Sequence, residues 1–187
     1  MSKLETNTID TISGSTNLTL GGTNATDITI PAGVTITNNG TQSGFGGTNT
    51  PNFSVYRNSN QTIANATSTT IIWDTKLFDT ASAYNTSTGQ FTVPSGQAGK
   101  YFFTAQVQWN TTADFDLTLI EIRKNGAVMM YGDVNPNRYY NTISVNSLLE
   151  LAVSDVITIR VAQESGGSID INGESYRCYF TGYKIIE

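Results

Sequence analysis

The chain contains no histidine, one cysteine, and only ten lysines and arginines against fifteen acidic residues. Without histidine the commonest general base and the commonest metal ligand are both missing, and no Cys–His nucleophilic pair can form. Cys178 has no partner for a disulfide within the chain, and in the apolar run YRCYFTGYKII it reads as a buried, reduced thiol. The basic residues are scattered singly except for Arg123-Lys124, which leaves no cluster to neutralise phosphates and argues against nucleic acid as a partner. No apolar run approaches the length of a bilayer span, so membrane insertion is not expected, and MSKLETNTID lacks the apolar core of an export signal. The glycine-rich pieces SGFGGT and ESGGS lack the Lys-Ser/Thr ending and the following helix of a phosphate-cradling loop.

What is present divides in two. With 187 residues there is room for one domain of ordinary size and an appendage. Residues 1–50 are dominated by Ser, Thr, Asn and Gly, with Phe45 the only aromatic. TNLTL, TDITI and GVTITNNG are short β-type alternations (Leu18/Leu20, Ile28/Ile30, Val34/Ile36) bounded by turn residues. Each is too small to stand alone in water, so the segment is expected to bury its apolar side against copies of itself in neighbouring chains. TQSGFGGTNTPN reads as a flexible joint.

Residues 51–187 read as all-β. The expected strands are FSVYR, TTIIW, KLFDT, QFTVP, KYFFTAQVQW, LTLIEIRK, AVMMY, YYNTISVNSLLEL, DVITIRVAQ and YRCYFTGYKII. In the long strand from Tyr101, the side chains of Tyr101, Phe103, Ala105, Val107 and Trp109 share one face, and Phe102, Thr104, Gln106 and Gln108 the other. Asn125-Gly126 supplies the positive φ angles of a type I′ hairpin. About ten strands joined by variable loops argue for a two-sheet sandwich of jelly-roll type.

YNTSTGQFTVPSGQAGKYFFTAQV resembles the hallmark of the C1q/tumour-necrosis-factor-like jelly roll, with Tyr84, Thr88, Gly89, Phe91, Pro94, Gly99, Tyr101 and Phe103 matching in order. IRKNG, SLLELAVSDVITIRV and YFTGYKI resemble its later motifs, with Ser154 where that family usually has Gly. The resemblance implies a ten-stranded sandwich, with Leu149, Leu151, Ile157, Ile159 and Val161 adding to its core, and it implies a homotrimer. The last strand carries bulk on both sides, Cys178, Phe180 and Ile186 on one and Tyr179, Tyr183 and Ile185 on the other. The second set is the candidate trimer contact. The N-terminal part is similar to the starts of structural proteins of tailed bacterial viruses, where a short β-rich attachment segment precedes a C1q-like head. That similarity implies a non-enzymatic virion surface protein of the tail or capsid. Residues 1–50 would bind other virion proteins, and the head would face a host-surface glycan or protein.

No catalytic residue and no cofactor is expected. Asp114 with Asp116, Asp133, and Asp170 with Glu174 are the carboxylates that could in principle work in pairs on a glycan, and solvated loop charge is the plainer reading. Asp114-Phe115-Asp116 could contribute to a calcium site but lacks the ligand count of a known loop. The candidate ligand-binding loop is YGDVNPNRYYN, with Tyr131, Arg138, Tyr139 and Tyr140 for stacking and hydrogen bonding. A secreted C1q-like lectin or adhesin and a glycan-cleaving tailspike are the alternatives.

Overall fold

The computed structural model describes residues 32–33, 35, 49–112, 114–133 and 141–185. The three N-terminal alternations, most of the joint, and Arg138, Tyr139 and Tyr140 lie outside the described residues. The strands belong to the compact unit Gly44–Glu187.

There are thirteen strands and no helix among the described residues. In chain order they begin with β1 (Asn52–Tyr56), β2 (Gln61–Ile63), β3 (Thr69–Thr70), β4 (Thr75–Asp79), β5 (Tyr84–Asn85) and β6 (Gln90–Thr92). The long strands are β7 (Gly99–Gln108), β8 (Leu117–Lys124), β9 (Ala127–Asp133), β10 (Thr142–Leu151) and β11 (Val156–Glu164). The series ends with β12 (Ile169–Ile171) and β13 (Tyr179–Lys184). A five-stranded sheet runs β10-β7-β13-β1-β4, and a six-stranded sheet contains β5-β6-β11-β8-β9 with β3 on β11. β12 and β2 form a separate small ladder. The result is the expected all-β jelly-roll sandwich, with β2, β5 and β12 added to the expected ten strands. Strands this short cannot display a period-2 pattern, so no alternation announced them.

The alternation of the long strands becomes the core. Tyr101, Phe103, Ala105, Val107 and Trp109 are fully buried, and Leu149, Leu151, Ile157, Ile159 and Val161 are buried opposite or beside them. Fully burying one such large side chain contributes about 1.5–3 kcal/mol. An aromatic cluster occupies the centre: Phe53 lies 4.9 Å from both Phe91 and Phe180, and Phe91 lies 5.6 Å from Phe103. Gly182 makes room for it, because a Cβ there would stand 2.5 Å from Phe103 and 2.7 Å from Phe53. The Phe-Thr-Gly-Tyr motif of the last strand is therefore a packing requirement.

Two segments depart from their expected form. TTIIW contributes only Thr69–Thr70 to a ladder, yet Ile71 and Trp73 are fully buried. The Gln61 side chain replaces a strand partner there, donating to the Thr70 carbonyl at 2.9 Å and accepting from the Ile72 amide at 3.0 Å. YRC is a turn before β13, closed by the Cys178 amide donating to the Glu174 carbonyl at 2.9 Å.

The turns follow the chemistry of their residues. Asn125 and Gly126 have φ of 50° and 85° and join β8 to β9 as the expected hairpin. Ser154 has φ of 69°, a conformation that glycine adopts without cost, so the departure noted in the sequence sits at a strained position. Asp155 holds that turn, accepting from the Ala152 amide at 2.8 Å and from Asn125 Nδ2 at 2.7 Å. Its ion pair with Lys124 at 2.8 Å joins the same turn to β8.

Candidate functional site

Of the carboxylates considered for chemistry, Asp170 and Glu174 have ordinary structural partners, and Asp114 and Asp116 stand in solvent. Asp114 and Asp116 are exposed, and Phe115 between them is buried against Trp109 at 5.5 Å, so this stretch works as an aromatic anchor. Asp170 accepts from the Thr62 hydroxyl at 2.6 Å, and Glu174 pairs with Arg177 at 2.6 Å. Among the described residues no group of three or more His, Cys, Asp or Glu is placed to hold a metal ion. The side chain of Asp133 lies outside the described residues.

The buried polar groups are structural as well. Arg57 is buried at the end of β1 and pairs with Asp74 at 3.2 Å, while its Nε donates to the Ser59 carbonyl and its Nη1 to the Ile72 carbonyl. Burial alone would raise the Asp74 carboxyl; the Asn58 amide, the Ser59 hydroxyl and the Arg57 charge outweigh it and hold the group below its ordinary value. Cys178 is fully buried, as expected, and burial pushes its thiol up to about 11 against the lowering effect of hydrogen bonds to Gln108 and Asn172. A thiol so placed is not a nucleophile.

What the fold presents outward is apolar surface in two places. On the outer face of the five-stranded sheet, Leu148 stands directly across from Phe102, and Phe102 directly across from Tyr183. Three neighbouring strands thus carry one apolar row. Leu148 is 55% exposed and Tyr183 39%, so the row is not covered by the other described residues of the head. The rings of Phe102 and Tyr183 lie 5.6 Å apart. Tyr179 and Ile185, the other two candidate contact residues, are half-buried on the same side of the last strand. Farther across the sheet, Phe78 lies opposite Ser54, with the largely exposed Leu77 beside it.

The second place is the edge strand β9, where Met129, Met130 and Tyr131 are exposed. Tyr131, the last residue of the expected strand AVMMY and the first of the candidate loop, lies within β9 opposite Glu121, because the ladder with β8 continues to Asp133. Its three proposed companions, Arg138, Tyr139 and Tyr140, are outside the described residues.

Sequence reasoning did not single out Leu77, Phe78 or Leu148 as outward residues. For Leu148 a signal existed: Leu148-Leu149 is an apolar doublet in a strand that otherwise alternates, so one of the two must face away from the core.

Comparison with known proteins agrees with this geometry. No curated protein sequence matches the chain significantly. Among solved structures, the globular domain of zebrafish complement 1qA is similar at 20% identity, covering 72% of this chain and 97% of that domain with a TM-score of 0.50. Murine APRIL is similar at 12% identity over 72% of this chain and 98% of its own, with a TM-score of 0.54. The vertex protein P5 of PRD1 is similar at 16% identity over 74% of this chain and 99% of its own, with a TM-score of 0.57. At these identities the likeness is one of fold. The model of the C1q domain family matches residues 52–185, which include every strand described above, and the chain belongs to that family.

Proposed function

We propose that this protein assembles as a homotrimer and serves as a non-catalytic surface protein of a virus particle. Residues 1–50 attach it to other virion proteins of the tail or capsid, and the C1q head, residues 51–187, faces a host-surface glycan or protein. The observation that carries the reading is the pair of apolar surfaces on two different parts of one head. When unlike patches meet between identical chains, the contact is heterologous, and it closes into a ring when the rotation permits. The row Leu148–Phe102–Tyr183 is one patch and the β9 edge with Met129 and Met130 is the other. Tyr179, Tyr183 and Ile185 then lie in the subunit contact.

Two further points support the viral setting. A protein of the same fold is the vertex protein P5 of PRD1. The N-terminal alternations of the sequence are each too small and too apolar on one side to stand alone in water, which suits a segment that attaches to a partner.

Light scattering of the full chain tests the assembly and should give about three times the 20.2 kDa protomer. Deleting residues 1–50 should leave the trimer intact and abolish co-sedimentation with particles lacking the protein. A monomeric head overturns the first half of the reading. Equal co-sedimentation of the truncated head overturns the second.

A further inference from the structure

On the outer face of the six-stranded sheet, away from the apolar row, β3, β6, β8 and β11 enclose a shallow groove of about 370 Å³. Its lining includes Arg123, Arg160, Thr70, Gln90, Thr158 and Asn125. Register explains how two arginines come together in a protein with so few: Thr158 pairs with Arg123, and Arg160 with Glu121, so the arginines are diagonal neighbours on one face. Across β11 the same two positions pair with Gln90 and Thr70.

The charges in the groove do not balance. Glu121 is committed to Arg123, whose Nε donates to it at 2.6 Å, and Arg123 Nη1 donates to the Gly126 carbonyl at 3.1 Å. Arg160 takes part in none of the ion pairs among the described residues. Its Nη2 donates to the Ser68 carbonyl, and its buried Nε has no hydrogen-bond partner. A half-buried guanidinium without a counter-charge has lost part of its hydration without recovering it from the protein. An anion laid along the groove restores it, and the planar fork of arginine suits a carboxylate or sulfate.

The rest of the lining identifies what the anion is attached to. Thr70, Thr158 and Gln90 offer neutral hydroxyl and amide groups suited to sugar hydroxyls, the Asn125 amide being engaged with Asp155 and Val156, and no aromatic ring lines the groove to stack a nucleobase. We propose that this groove is a binding site for an acidic saccharide, with Arg160 and Arg123 holding its sulfate or carboxylate. This deepens the reading of a displayed head and rests on it only for the biological setting. The groove lies around β11 on the outer face of the six-stranded sheet, whereas the proposed subunit contact uses the opposite sheet and the β9 edge, one strand beyond the Arg123 side of the groove.

The test uses the purified full-length protein at low ionic strength, titrated by calorimetry and by saturation-transfer NMR with three disaccharides: one sulfated, one containing a uronic acid, and one neutral. The sulfated or the uronate sugar should bind and the neutral one should not; which acidic sugar binds identifies the anion. Arg160→Gln should weaken binding about tenfold or more. Glu121→Gln, which frees Arg123 and removes the competing charge, should strengthen it several-fold, an effect that a merely structural role would not produce. Thermal melts establish that both variants fold, and Arg123→Gln serves as the second variant if Arg160→Gln does not. Undiminished binding by Arg160→Gln and Arg123→Gln, equal binding of the neutral sugar, or no saturable binding of either acidic sugar overturns the proposal. Each of these outcomes is independent of whether the protein co-sediments with particles, so loss of the groove and loss of the virion reading are told apart.

Discussion

Replacing Phe103 and Phe102 by alanine, one at a time, separates the two faces of β7 and with them the core from the assembly surface. Phe103 is fully buried, with its ring 5.6 Å from Phe91 and 5.9 Å from both Tyr101 and Phe180. Its removal leaves a cavity that the surrounding rings cannot collapse into, at a cost of about 3–5 kcal/mol. With m of about 2 kcal/mol per molar urea, that lowers the unfolding midpoint by about 1.5–2.5 M. Phe102 is half-buried and touches Tyr183 at 5.6 Å, so within one chain its removal costs about 1 kcal/mol. In the proposed trimer it loses subunit contacts as well. Urea unfolding followed by intrinsic fluorescence should show the large loss for Phe103→Ala at every protein concentration. For Phe102→Ala, light scattering over a dilution series should show dissociation at a higher concentration than for the parent, with little change in the unfolding of the separated chains. Equal intrinsic losses at both positions would refute the assignment of faces. An unchanged dissociation point for Phe102→Ala would remove Phe102 from the subunit contact.

Ser154→Gly should stabilise the head by about 0.5–1 kcal/mol, because glycine adopts the φ of 69° without the clash of a side chain; the urea midpoint checks this. Gly182→Ala should destabilise by about 1–3 kcal/mol, since the added methyl meets Phe103 and Phe53 at 2.5 and 2.7 Å; a thermal melt reads it. Leu148→Glu should dissociate the proposed trimer without unfolding the chain, as measured by light scattering beside circular dichroism, because it places a charge in the apolar row. The Cys178 thiol stands at about 11 in the folded protein against an ordinary 9.0, raised chiefly by burial. A raised folded value means that its contribution is complete below about pH 9 and is lost as pH rises towards 11. Over that interval the parent should lose up to about 2–3 kcal/mol more stability than Cys178→Ala, read from urea midpoints at each pH.

Within residues 51–187 the sequence by itself determined the strand class, the inward residues of β7, β10 and β11, and the tightest hairpin. A period of two is a local property: Tyr101, Phe103, Ala105 and Val107 declare their shared face without reference to any other strand, and all four are buried. Asn125-Gly126 likewise takes its positive φ angles from the two residues themselves. Even Ser154 was legible as a departure, although only its φ showed the conformational cost. Strands of two or three residues such as β2, β5 and β12 were not legible, and neither was the irregular Ile71–Trp73 run, which is held by the side chain of Gln61. The tertiary structure alone decided which residues become neighbours across strands. Leu148, Phe102 and Tyr183 lie far apart in the chain, and their continuous row exists only because β10, β7 and β13 are adjacent in one sheet and in that register. Arg123 and Arg160 converge for the same reason, through the pairing of β8 with β11. Alternation sets which way a side chain points, whereas topology and register set what stands beside it, and a binding surface is made of the second kind of information.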